Sequence, residues 1–147
     1  MKRMFQKILY PTDFSDTSKK ALEYLLRLRE AGAREVVIVH VVDTRSLHIP
    51  EVYSLLDLSR LGEKQEISAR EEADRIAARL NERGIGSRVR IEKGIPFREI
   101  LRAEAEEDVS MIVIGSHGMS NVKEMLMGSV SEQVIRKARK PVLVVKR

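Results

Sequence analysis

The chain has 147 residues, 43% of them hydrophobic and 33% charged. That length suits a single domain over residues 1–147 with one core, that balance excludes a disordered or fibrous chain, and no apolar run approaches the about 20 residues a membrane-crossing helix needs. Zero cysteines exclude disulfides, thiolate metal sites and thiol catalysis, while the net charge of +5 comes from Lys and Arg interleaved with Glu and Asp, which disfavours a nucleic-acid coat.

The start, Met1-Lys2-Arg3-Met4, is basic but lacks the long apolar region of a signal peptide, so the expected location is cytoplasmic. Lys7-Ile8-Leu9-Tyr10 reads as a short apolar strand ended by Pro11-Thr12-Asp13. Ser15 or Asp16 then caps a helix with Ala21, Leu22, Leu25 and Leu28 on one face, and Gly32 is its natural stop. Glu35 to Val42 is β-branched without alternation, as a strand covered on both faces should be. Asp43 to about Gly62, with Pro50 inside, gives no clear pattern. Beyond it Ala69, Ala73, Ile76, Ala77 and Leu80 fall at helical spacing until Gly84.

Arg88-Val89-Arg90-Ile91-Glu92 alternates polar and apolar residues, which predicts an edge strand with one wet face. Pro96 starts a helix carrying Phe97, Ile100 and Leu101 inward, and Met111 to Ile114 is a fourth strand, apolar on both faces. The last helix spans about Gly128 to Arg139 with Val130, Val134, Ile135 and Ala138 inward, Pro141 forbids its continuation, and Val142-Leu143-Val144-Val145 is a fifth strand.

Strands alternating with helices, joined by right-handed crossovers, predict a doubly wound, Rossmann-like α/β fold. Its five-stranded parallel sheet has the order 3-2-1-4-5, with helices on both faces. The winding then reverses between strands one and four, and such sheets bind ligands beyond the carboxyl ends of the strands flanking that point. Two segments meet there. One is Pro11-Thr12-Asp13; the other is Gly115-Ser116-His117-Gly118, followed after nine residues by Gly128-Ser129.

Glycines here permit positive φ and close approach to the main chain, and a helix starting near Gly128 offers unpaired N–H groups and the positive end of its dipole to an anion. The pattern is neither the dinucleotide fingerprint nor a P-loop. Asp13 can accept bonds from ribose hydroxyls or help hold a divalent cation, or it can brace the turn before the helix. The main chain of Val41 can read a heterocycle edge, although its side chain suits the core. Ser129 can reach phosphate or simply cap its helix. His117 can touch phosphate, carry a proton or only position its loop, and Met119, Met125 and Met127 can line a pocket or pack on helices. His40 reads as a core or strand-end residue and His48 as a surface one. No nucleophile with an adjacent base stands out, so no catalytic residue is assigned and binding is favoured over turnover.

These residues resemble the universal stress protein family, specifically its ATP-binding subgroup. The likeness runs through Tyr10-Pro11-Thr12-Asp13-Phe14-Ser15, Val39-His40-Val41-Val42-Asp43, Gly94-Ile95-Pro96, Ile114 to Gly118, and Gly128-Ser129-Val130-Ser131 to Val145. The resemblance implies ATP, or another adenine nucleotide, bound with Mg²⁺ or Mn²⁺. It sets adenine near Pro11 and the Val41 backbone, and ribose at Asp13, with Thr12 between them. Phosphates run along Gly115, Ser116, His117, Gly118, Met119, Ser120 and Asn121 and along Gly128, Ser129, Val130 and Ser131. The metal is held mainly by phosphates, with Asp13 as the one candidate protein ligand. It also implies a homodimer through Val142 to Val145, which agrees with an apolar edge strand free of proline and charge. The function so implied is a nucleotide-dependent switch or regulator in stress response; a slow ATPase or nucleotidyl-transfer enzyme at the same site is the alternative.

Overall fold

Side-chain alternation explains the central strands. In β1 (Lys7–Pro11), Ile8 and Tyr10 enter one core and Leu9 the other, all three fully buried. β2 (Glu35–Asp43) repeats this with Val36 and Ile38 against Val37 and Val39, and β4 (Met111–Gly115) with Met111 and Val113 against Ile112 and Ile114. A strand apolar on both faces must be covered on both. A computed structural model describes residues 4–47, 55–117 and 128–147. Its sheet has five parallel strands in the expected order β3-β2-β1-β4-β5, with β3 at Gly86–Gly94 and β5 at Val142–Val145.

Among the described residues two helices cover each face. On one, Ala21, Leu22 and Leu25 of α1 (Asp16–Arg27) pack with Ala73, Ile76 and Leu80 of α2 (Leu55–Glu82). On the other, Ile100 and Ala103 of α3 (Pro96–Glu107) pack with Val134 of α4 (Ser129–Lys137). Each large aliphatic side chain so buried contributes about 1.5–3 kcal/mol. Ser15, not Asp16, caps α1, accepting the Ser18 N–H at 3.3 Å. The helix already ends at Arg27, and Gly32, with φ 112°, turns the chain into β2.

Two boundaries and one strand face differ from expectation, each for a tertiary reason. α2 begins at Leu55, inside the stretch that carries no clear pattern, and Gly62 lies within it; packing outweighs the about 1 kcal/mol that glycine costs a helix. The polar face of β3 is only partly wet: Arg88 is exposed, while Arg90 and Glu92 are partly covered by α3. Its Arg88, Arg90 and Glu92 meet Arg102, Glu106 and Glu107 of α3, and the Arg90 and Glu107 side chains are only 15% and 9% exposed. Finally, α4 stops at Lys137 because the buried Glu104 carboxylate accepts the N–H groups of Arg139 and Lys140, both at 2.8 Å, which draws the chain away towards β5. Among the described residues no helix is long and apolar enough to cross a membrane.

Candidate functional site

Beyond the carboxyl ends of β1, β2 and β4, where the strand order reverses, lies a cavity of about 730 Å³. Pro11, Thr12 and Asp13 line it from β1, Val41 from β2, Gly115 and His117 from β4 and its exit, and Gly128, Ser129, Val130 and Ser131 from the start of α4. Ser116 is buried, and its hydroxyl lies 2.8 Å from His117 Nδ1. Gly118, Met119, Ser120 and Asn121 fall outside the described residues, as do His48, Met125 and Met127.

β1 stops pairing with β2 at Pro11 opposite Val39, and Thr12 N–H still donates to the Val39 carbonyl at 2.9 Å. A strand presents its main-chain groups to the same edge every second residue. The N–H and C=O of Val41 therefore face the β1 side one step past the last pair, at the cavity. A donor beside an acceptor on an extended backbone suits the edge of a planar heterocycle.

At α4 the N-cap is Gly128, so Ser129 is the first helical residue and its hydroxyl is not the cap. The Gly128 N–H is engaged with the Ser116 carbonyl at 2.7 Å, while its own carbonyl accepts Glu132 N–H. The amides of Ser129, Val130 and Ser131 precede the first intrahelical bond, and these residues line the cavity. With the helix dipole behind them they form a place for an anion. Ser131 Oγ donates to the Gly115 carbonyl at 2.6 Å, which ties α4 to the end of β4.

Neither described glycine of this segment has a positive φ. Gly115 is needed for another reason. A Cβ there would stand 3.0 Å from Thr17 Cγ2, 3.1 Å from the Thr17 carbonyl carbon and 3.2 Å from Ser18 N, so α1 begins where only a hydrogen leaves room.

The loop after β1 rests on buried hydroxyls. The Tyr10 phenol donates to the Ser18 carbonyl, Ser18 Oγ donates to Thr12 Oγ1, and Thr12 Oγ1 also accepts Phe14 N–H at 3.0 Å. Burial pushes the Tyr10 phenol above its ordinary pKa. Asp13 Oδ1 accepts Ser15 N–H at 3.0 Å while the residue lines the cavity, so it braces the turn and borders the cavity at once. At the end of β2, hydrogen bonding from Arg45 holds the Asp43 carboxyl below the usual range.

Other lining residues were not anticipated. His40 and Phe14 stack with centroids 4.7 Å apart, and both border the cavity. Leu61, Lys64, Gln65, Ser68 and Glu72 of α2 border it too. A signal for them exists in the sequence, because Lys64, Gln65 and Ser68 continue the stripe of Ala69, Ala73 and Ile76 but turn it polar. On the opposite wall, His117 Nε2 is buried with no hydrogen-bond partner among the described residues.

Comparison with known proteins matches residues 4–146 to the universal stress protein family. Universal stress protein MJ0577 of Methanocaldococcus jannaschii is 40% identical, covering 100% of this chain and 98% of its own. Universal stress protein YxiE of Bacillus subtilis is 36% identical, covering 97% and 100% respectively. The solved structure of MJ0577 superposes with a TM-score of 0.89 at 41% identity, over 98% of this chain and 97% of that one. An Arabidopsis thaliana family protein solved with AMP bound shares the fold, with a TM-score of 0.65 at 20% identity over 97% and 92% of the two chains.

Proposed function

The chain belongs to the universal stress protein family, and from that premise we propose that it binds an adenine nucleotide, ATP foremost, and acts as a nucleotide-dependent switch in stress response. One observation carries the reading. The open amides of the first turn of α4, the Asp13 carboxylate and the Val41 main chain border a single cavity at the sheet's reversal. Phosphates sit at the α4 amides and along Gly115 to Asn121, ribose hydroxyls at Asp13, and adenine at Pro11 and Val41. The Arabidopsis protein with AMP supports an adenylate on this fold; the placement of its parts follows the family resemblance, and the cavity lining at Pro11, Asp13, Val41, Gly115 and Gly128 to Ser131 supports it.

Mg²⁺ or Mn²⁺ accompanies the triphosphate in this proposal. Among the described residues no group of three or more His, Asp and Glu gathers as a metal cluster. Asp13, which lines the cavity, is the carboxylate proposed to help hold the ion, and phosphate oxygens supply most of its ligands. The cytoplasm is the proposed compartment, and β5 edges of two copies pair into a homodimer. Leu143, 36% exposed on that edge, supports the pairing.

A second reading has its own observation. The Ser116–His117 contact sets a hydroxyl beside an imidazole next to the proposed phosphates, which favours slow hydrolysis or nucleotidyl transfer. Calorimetry of the purified protein with ATP and Mg²⁺ tests the main reading, which a titration without heat for any adenylate would overturn. Following ADP and AMP release over hours tests the second, and turnover no faster than the uncatalysed background would remove it.

A further inference from the structure

The loop that carries Asp13 is bent into a shape its sequence disfavours. Phe14 has φ 64°, in the left-handed region that residues other than glycine rarely adopt. Something must hold it there. Thr12 Oγ1 accepts the Phe14 N–H at 3.0 Å and is itself held from α1 by Ser18 Oγ, which donates to it. From β2, His40 makes two contacts: Nδ1 lies 2.8 Å from the Thr12 carbonyl, and the ring stacks on Phe14 at 25° between planes. A carbonyl only accepts, so Nδ1 carries the proton and donates.

We propose that His40 is a positioning residue for the ligand's ribose: it clamps the Thr12 carbonyl and the Phe14 ring so that the intervening Asp13 carboxylate is presented to the ribose hydroxyls. Asp13 lies between the two clamped residues, and its Oδ1 accepts the Ser15 N–H. Fixing the residues on either side leaves the carboxylate little freedom to swing from the cavity it lines. His40 is half-buried on the strand face that points towards α1 and α2, so it reaches the loop from the side opposite α4 and can act without touching phosphate. The inference rests on the adenylate reading of the cavity.

The test uses the full chain and two ligands, ATP and 2′,3′-dideoxy-ATP, each with Mg²⁺, measured by calorimetry. Wild type should prefer ATP. His40→Ala should bind ATP about tenfold more weakly, the loss expected for one hydrogen bond and one aromatic contact, and should lose most of its preference for the ribose hydroxyls. His40→Asn keeps a donor where Nδ1 stands and should retain more of that preference than His40→Phe, which keeps only the ring. A merely structural role would weaken both ligands equally and leave the preference unchanged; that result overturns the proposal. ¹⁵N spectra of the ligand-free protein give a second readout, and a neutral His40 with its proton on Nε2 alone would also overturn it. If wild type binds neither ligand, the adenylate reading itself fails and the clamp falls with it. If wild type binds and discriminates while His40→Ala matches it, only the clamp fails.

Discussion

Adding one methyl group at Gly115 should damage stability and ligand binding together. The Cβ of Gly115→Ala would meet Thr17 Cγ2 at 3.0 Å, the Thr17 carbonyl carbon at 3.1 Å and Ser18 N at 3.2 Å. Ordinary contacts between carbon atoms lie at about 3.5–4.0 Å, so α1 or the end of β4 must yield by about half an ångström. Two of the three obstacles are backbone atoms in the first turn of a capped helix, which cannot rotate aside as a side chain would. Overpacking of this kind costs about 1–3 kcal/mol. At about 2–4 °C per kcal/mol for a chain of this size, Tm should fall by about 2–12 °C. The displaced atoms lie between the Ser18–Thr12 hydrogen bond and the Ser131–Gly115 hydrogen bond, so both walls of the cavity shift. ATP affinity should therefore drop several-fold in the same variant. Differential scanning calorimetry and isothermal titration read the two effects. A variant with wild-type Tm and wild-type affinity would refute the close-approach explanation of this glycine.

Three further outcomes follow from the geometry. Glu104→Ala leaves the N–H groups of Arg139 and Lys140 without their buried acceptor, and should lower unfolding free energy by about 2–4 kcal/mol in urea titrations, with the m-value unchanged. Burial alone would raise the Glu107 carboxyl, but Arg88, Arg90 and Lys7 outweigh it and hold the pKa below its ordinary value of 4.5. The unfolded chain then binds that proton more tightly, so the stabilisation is present above about pH 4.5 and is lost as pH falls through the native value; Glu107→Gln should flatten this acid limb in pH-dependent melting, and an unchanged limb would count against the network. Leu143→Arg puts a charge on the exposed apolar edge of β5 and should convert the proposed dimer to monomer in sedimentation velocity; a dimer that survives it would move the interface elsewhere.

The order of elements, the faces of the central strands and the point where the winding reverses are legible in the residues alone. Ile8, Leu9 and Tyr10 leave no solvent-facing option, Pro96 and Gly84 mark helix ends, and the reversal follows from which strand reads as an edge. Such features are local, because period and punctuation act over a few residues. Tertiary structure alone decided the contacts that join distant segments: His40 on the Thr12 carbonyl, 28 residues away in sequence, and Glu104 on the Arg139 amide, 35 away. It also decided that Arg90 and Glu92 are partly covered by ion pairs to α3, and that Gly115 makes room for α1 rather than turning the chain. Periodicity states which face a residue occupies; what stands opposite that face depends on how the crossovers close, and no local pattern carries that information.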